Sequence, residues 1–150
     1  MNIIFLVMLA GLSLAQAPKA DSLMTPRQLV ERHIKGVQTG DLDMAVQDYA
    51  DDAVVMAPPG AFPAGTASLE SSVVIGKANI RKFVASLMDK EHAAGAKGMI
   101  WRLESAPEGA TVMHWTQFKG TPQEISGMDI FIVRDGRIIF QVVSLNARKT

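Results

Sequence analysis

"GDLDMAVQDYADDAVVMAPPG", residues 40–60, passes from a helix to a strand within one block, and its reading decides the fold class. Asp41 can cap a helix, because its carboxylate accepts from the free amides of a first turn. Leu42, Ala45, Val46 and Tyr49 then recur at i, i+3, i+4 and i+7, the spacing of one helical face. The helix is expected to end before Asp51-Asp52, acids placed in a turn where carboxylates hydrogen-bond local amides. Residues 53–57 read as a short apolar strand, and Pro58-Pro59-Gly60 ends it, since proline has no amide to give a ladder.

Upstream, Thr25-Pro26-Arg27-Gln28 has the form of a capping box with proline at the first helical position, and Gly40 is a natural stop after Thr39. The face of that helix is Val30, Ile34 and Val37, and His33 falls on it. Downstream, Ala61–Ser72 is a loop by composition. A third amphipathic helix is expected from about Lys77 to His92, with Ile80, Phe83, Val84, Leu87 and Met88 on one side. Strands follow near 98–105, 111–119, 124–134 and 137–146, the last two joined by Asp135-Gly136, a strong two-residue hairpin signal. Helices first and an antiparallel meander last make the class α+β. "GMDIFIV" and "RIIFQVVSL" are apolar on both faces, so a second copy of the chain is expected to cover the outer face as an isologous dimer. The alternative is a sheet curled enough to cover itself.

At 150 residues the chain is long enough for one domain that buries roughly two-thirds of its unfolded surface. Fifteen Lys plus Arg against fifteen Asp plus Glu leave no net field for a polyanion, so nucleic acid is not an expected partner. The absence of cysteine removes thiol chemistry and disulfides. Residues 1–20, with an apolar run from Ile3 to Leu14 followed by small residues, read as a signal peptide cut after Ala15. That leaves residues 21–150 as a single domain that is exported, periplasmic or extracellular. The run is too short to span a bilayer, and no stable membrane insertion of the mature domain is expected.

"GDLDMAVQDYADDAVVMAPPG" followed by "IGKANIRKFV" and "MDIFIVRDGRI" resembles the nuclear transport factor 2-like superfamily, most closely its ketosteroid isomerase and SnoaL-like branches, over about residues 25–146. The resemblance implies three helices on a curved sheet, together a cone with a pocket at one end, and frequent pairing through the sheets. Such a pocket suits a small, largely apolar molecule fixed by a few polar groups. Ketosteroid isomerase works with an aspartate base, a tyrosine and a protonated aspartate. The resemblance places the base just before Pro58, where this chain has Ala57 with Met56 beside it. Alanine cannot move a proton, so that isomerisation is not expected. The resemblance places the tyrosine's position at His33, a third-helix partner at Val84 and the oxyanion aspartate at Asp129.

Each polar residue has a plain reading beside the chemical one. His33 is either a core histidine satisfied by a carbonyl or a pocket acid/base. Asp129 alternates with Phe131 and Val133, which the resemblance turns inward; it is either a carboxyl pushed toward its neutral form or the partner of Arg102 or Arg137. His114 shares a strand face with Val112 and Thr116, which the resemblance also turns inward, and Gln141 and Val143 lie on the last strand. The expected catalytic set is His33, His114 and Asp129, with Met56, Ala57, Val84, Val112, Thr116, Phe131, Gln141 and Val143 around the pocket. Two histidines and one aspartate without a close-spaced ligand motif do not point to a metal, and no cofactor is expected. The expected function is binding of a small apolar molecule, with acid/base chemistry of the isomerase, cyclase or lyase kind as its enzymatic version. A non-catalytic dimeric interaction module with a filled pocket is the alternative.

Overall fold

A computed structural model describes residues 24–58, 73–89 and 93–146. The expected signal segment with its cleavage after Ala15, the loop Ala61–Ser72 and His92 lie outside the described residues. The first helix, α1 (Pro26–Thr39), starts on the capping box: Thr25 Oγ1 accepts from Gln28 N, and the Gln28 side chain accepts from Thr25 N at 2.8 Å. Gly40 ends it with φ 74°, a left-handed conformation that a Cβ would oppose. Asp41 caps α2 (Leu42–Val46) by accepting from Met44 N at 2.9 Å.

The second helix is shorter than its apolar spacing suggests, and Tyr49 belongs to the sheet. β1 runs Tyr49–Met56. Asp48 O accepts from Ile138 N at 2.8 Å, so pairing with the final strand draws the chain out of the helix here. Asp51 and Asp52 consequently sit exposed on β1, where its register with that strand shifts, and not in a turn. A short β2 (Val73–Ile75), which composition did not reveal, precedes α3 (Lys77–Leu87). The third helix ends at Leu87, short of the expected His92, and a separate short helix, α4 (Ala93–Lys97), which the periodicity did not reveal, lies beyond it.

Four strands complete the chain: β3 (Ile100–Ser105), β4 (Ala110–Gln117), β5 (Ile125–Arg134) and β6 (Arg137–Leu145). The six-stranded sheet has the order β2-β1-β6-β5-β4-β3, antiparallel throughout except where β1 runs parallel to β6. Asp135 and Gly136 turn the β5–β6 hairpin with φ 50° and 70°, both positive as a two-residue turn of this hand requires. The result is α+β, with helices packed on one face of a curved, mainly antiparallel sheet. Leu29, Val30, Ile34, Ile80, Phe83 and Val84 from the helices meet Val55, Met113, Trp115, Phe131 and Ile138 from the strands in one core.

Candidate functional site

The inner face of the sheet is fixed by register. Met113 pairs with Asp129, and Asp129 pairs with Val143 across β5; Trp115 pairs with Gly127, and Phe131 with Gln141. These residues therefore share the face that meets the helices. Between that face and α1, α3 and α4 lies a cavity of about 320 Å³, a size suited to a small molecule. Its wall is mostly apolar, from Ile34, Val37, Phe83, Val84, Leu87, Met99 and Met113, with His33, Asp129, Gln141 and Gln117 as polar members.

His33 reaches the cavity because α1 and α2 approach unusually closely. A Cβ on Gly36 would overlap the Ala45 backbone, so only glycine lets the helices meet there. Ala45 O then lies 2.7 Å from His33 Nδ1. A carbonyl only accepts, so Nδ1 carries the proton and Nε2 is left with a lone pair. Burial lowers the His33 pKa, opposed by the Ala45 hydrogen bond and the Asp48 charge. Tyr49 and Phe131 hold the ring edge-on, each with centroid 5.5 Å away. One His33 nitrogen is thus satisfied by a carbonyl, and the other has no donor among the described residues. Thr111 Oγ1 is the one side-chain polar atom among these residues that is sealed off without a partner, so Nε2 is not shut away in the core.

Asp129, only 5% exposed, is neither alone nor ion-paired. Trp115 Nε1 donates to Oδ1 at 2.8 Å, and Gln141 Nε2 donates to Oδ2 at 2.8 Å. Gln141 Oε1 in turn accepts from the Tyr49 hydroxyl. The chain Tyr49–Gln141–Asp129–Trp115 thus converges on one carboxyl. Its geometry depends on Gly127, where a Cβ would overlap the Trp115 ring and Ser144 O; the indole lies across β5 because that position is bare. Desolvation pushes the Asp129 pKa up to about 6, while the two N–H donors hold it down. Burial, with the Asp129 charge added, raises the Tyr49 hydroxyl well above its ordinary range. Two donors suit a carboxylate rather than the neutral, donating acid implied by the resemblance. The expected partners of Asp129 are engaged elsewhere: Arg102 with Glu104, and Arg137 with Gln47 O at 3.0 Å.

His33, Asp129, Val84, Gln141 and Val143 come together on the cavity wall; the other expected residues do not. His114 pairs with Met128 on the opposite face, half-buried, with Nε2 3.6 Å from Glu104 Oε2. Val112 and Thr116 go with it. Adjacent strand residues point opposite ways, and the bulk of Met113 and Trp115 takes the inner face, so a phase error of one residue inverts the strand. Met56 pairs with Val142 on the outer face and is 39% exposed. Ala57 is buried just beyond β1 but does not line the cavity, and Phe131 lies behind the wall against His33. No hydrogen bond joins His33 to Asp129. Among the described residues no group of three His, Cys, Asp or Glu could hold a metal ion.

Trp115, Tyr49 and Gln117 were missed as site residues. The signal was present for the first two: a buried indole or phenol needs a partner for its polar end. Asp48 was missed as well. It is buried at 4% exposure and clamped by Arg32, whose Nε donates to Oδ2 at 2.6 Å and whose Nη2 donates to Oδ1. The pair ties α1 to the start of β1, beside His33.

Residues 30–141 match the SnoaL-like domain family. No curated protein sequence matches the chain. Among solved structures, a SnoaL-like protein of Burkholderia thailandensis E264 superposes with a TM-score of 0.62 at 15% identity, covering 87% of this chain and 100% of that one. An NTF2-like protein of Burkholderia xenovorans LB400 gives 0.59 at 14% identity, covering 83% and 85%. TerC, co-crystallised with polyporic acid, gives 0.59 at 17% identity, covering 81% and 91%. At these identities the structures show a shared fold, whereas the family match runs through most of the domain. The chain belongs to the SnoaL-like domain family of the nuclear transport factor 2-like superfamily.

Proposed function

We infer that the protein binds a small, largely apolar molecule in the cavity, and that Asp129 is the group that acts on it. The observation that carries this reading is a buried carboxylate, poised near pH 6, on the wall of an otherwise apolar cavity. A general base works best with a pKa near the operating pH, and apolar walls strengthen every polar contact the ligand makes. Asp129 would take the proton in an isomerase, cyclase or lyase step, and neutral His33 would receive a hydrogen bond at Nε2. His114 is assigned no part, because it lies across the sheet. A filled, purely structural pocket is disfavoured by the void itself, which the described side chains leave open.

The test is binding of whatever ligand is recovered from the native protein. Asp129→Asn and His33→Ala should each weaken it; if both variants bind that ligand as the wild type does, the site is elsewhere.

The same reading has two copies paired through their sheets. Val54, Val112, Ile130, Ile132, Phe140 and Val142 share the outer face by register, a continuous apolar centre, with His114, Arg102 and Glu104 toward one edge. It also has the domain exported, on the strength of the apolar run Ile3–Leu14 and the small residues after it. Amino-terminal sequencing of the protein from the secreted fraction would test that directly, with Gln16 as the expected first residue.

A further inference from the structure

The polar atoms on the cavity wall are mostly acceptors. His33 Nδ1 is given to Ala45 O, which leaves Nε2 as a lone pair. Both Asp129 oxygens accept, and each keeps room for a further donor. The single Trp115 N–H is already donated. Gln141 is engaged at both ends, its oxygen accepting from Tyr49 and its nitrogen donating to Asp129. Gln117 has its amide nitrogen 4.0 Å from Met99 Sδ, and among the described residues no Lys or Arg lines the cavity.

An anion entering this space meets facing lone pairs and a like charge, with no cation among the described wall residues to neutralise it. Apolar walls leave that repulsion poorly screened. A hydroxyl meets the reverse: two acceptors with no donor of their own to satisfy. Resting on the cavity being a binding site, we propose that its ligand presents a neutral hydroxyl, as an alcohol or phenol on an apolar body, to Asp129 and His33 Nε2, and that anionic molecules of the same shape are rejected. This reverses the polarity of an oxyanion-holding pocket, in which the protein donates and the ligand accepts.

Equilibrium dialysis of the full chain against 2-naphthol, naphthalene and 2-naphthoate, at a pH near 8 where Asp129 is ionised, separates the possibilities. The expected result is 2-naphthol bound about tenfold or more tighter than either of the others, a preference that Asp129→Asn removes. 2-Naphthoate or naphthalene held as tightly as 2-naphthol overturns the inference while leaving the cavity reading in place. If none of the three binds, the cavity reading fails and the inference fails with it. The wild-type comparison decides the matter without relying on the variant's folding.

Discussion

Asp129 is removed from water and given two N–H donors in place of a cation, and its titration reports how far those donors offset burial. Replacing Trp115 with phenylalanine deletes one of them, so carboxyl NMR should find Asp129 titrating above its wild-type value of about 6; an unchanged value would show that the indole does not support the charge. Stability should carry the same signature. The folded pKa lies above the unfolded 3.8, so the native state holds the proton more tightly between these values. The contribution of Asp129 is therefore complete below pH 3.8 and lost as pH rises through about 6, amounting to roughly 3 kcal/mol for a shift of about two units. His33 acts in the opposite sense: its folded pKa is lowered, so its contribution is present above 6.5 and lost as pH falls. Subtracting urea-unfolding curves of Asp129→Asn from wild type across pH 3 to 8 isolates the first effect, and a flat difference would contradict it. That Asp129 is buried was legible from its alternation with Phe131. Its donors were not, because hydrogen-bond partners on β4 and β6 depend on register rather than on neighbouring sequence.

Two close approaches between elements hold the site in shape. Gly36 lets α1 meet α2, and Gly127 lets the Trp115 indole cross β5. Alanine at either position should cost about 1–3 kcal/mol by overpacking, read as a lowered urea midpoint. Gly127→Ala should also disturb the near-ultraviolet signal of Trp115 and raise the Asp129 pKa, which Gly36→Ala should leave alone. A third tie is Arg32 to Asp48; Arg32→Met strands a buried carboxylate and should cost about 3 kcal/mol in the same assay, because the guanidinium is only partly shielded. Helix starts and hairpin turns were readable because caps and positive φ values are local requirements, as at Thr25, Asp41 and Asp135-Gly136. The end of α2 was not, since Tyr49 satisfies a helical spacing and yet pairs with Ile138. His114 shows the same limit: alternation along β4 was legible, but its phase was set by Met113 and Trp115 seeking the core.

At the level of the molecule, the sheet has a helix-covered face that forms the cavity and an outer face whose centre is apolar. If the outer face pairs two copies, Ile130→Lys should yield monomers by sedimentation while keeping the cavity and its ligand; a dimer that survives places the interface elsewhere. The α+β class and the SnoaL-like family were legible because caps, helical faces and turns all agree with one scaffold. The ligand was not, because this fold carries many functions and the wall residues come from six separate elements. The most direct test of a ligand-binding cavity built around Asp129 is native mass spectrometry of the protein from its own source. The account predicts a small-molecule adduct on the wild type that is lost from Asp129→Asn and from the cavity-filling Val84→Phe, with both variants folded. A folded wild type without an adduct, or an adduct held equally by all three proteins, would contradict it.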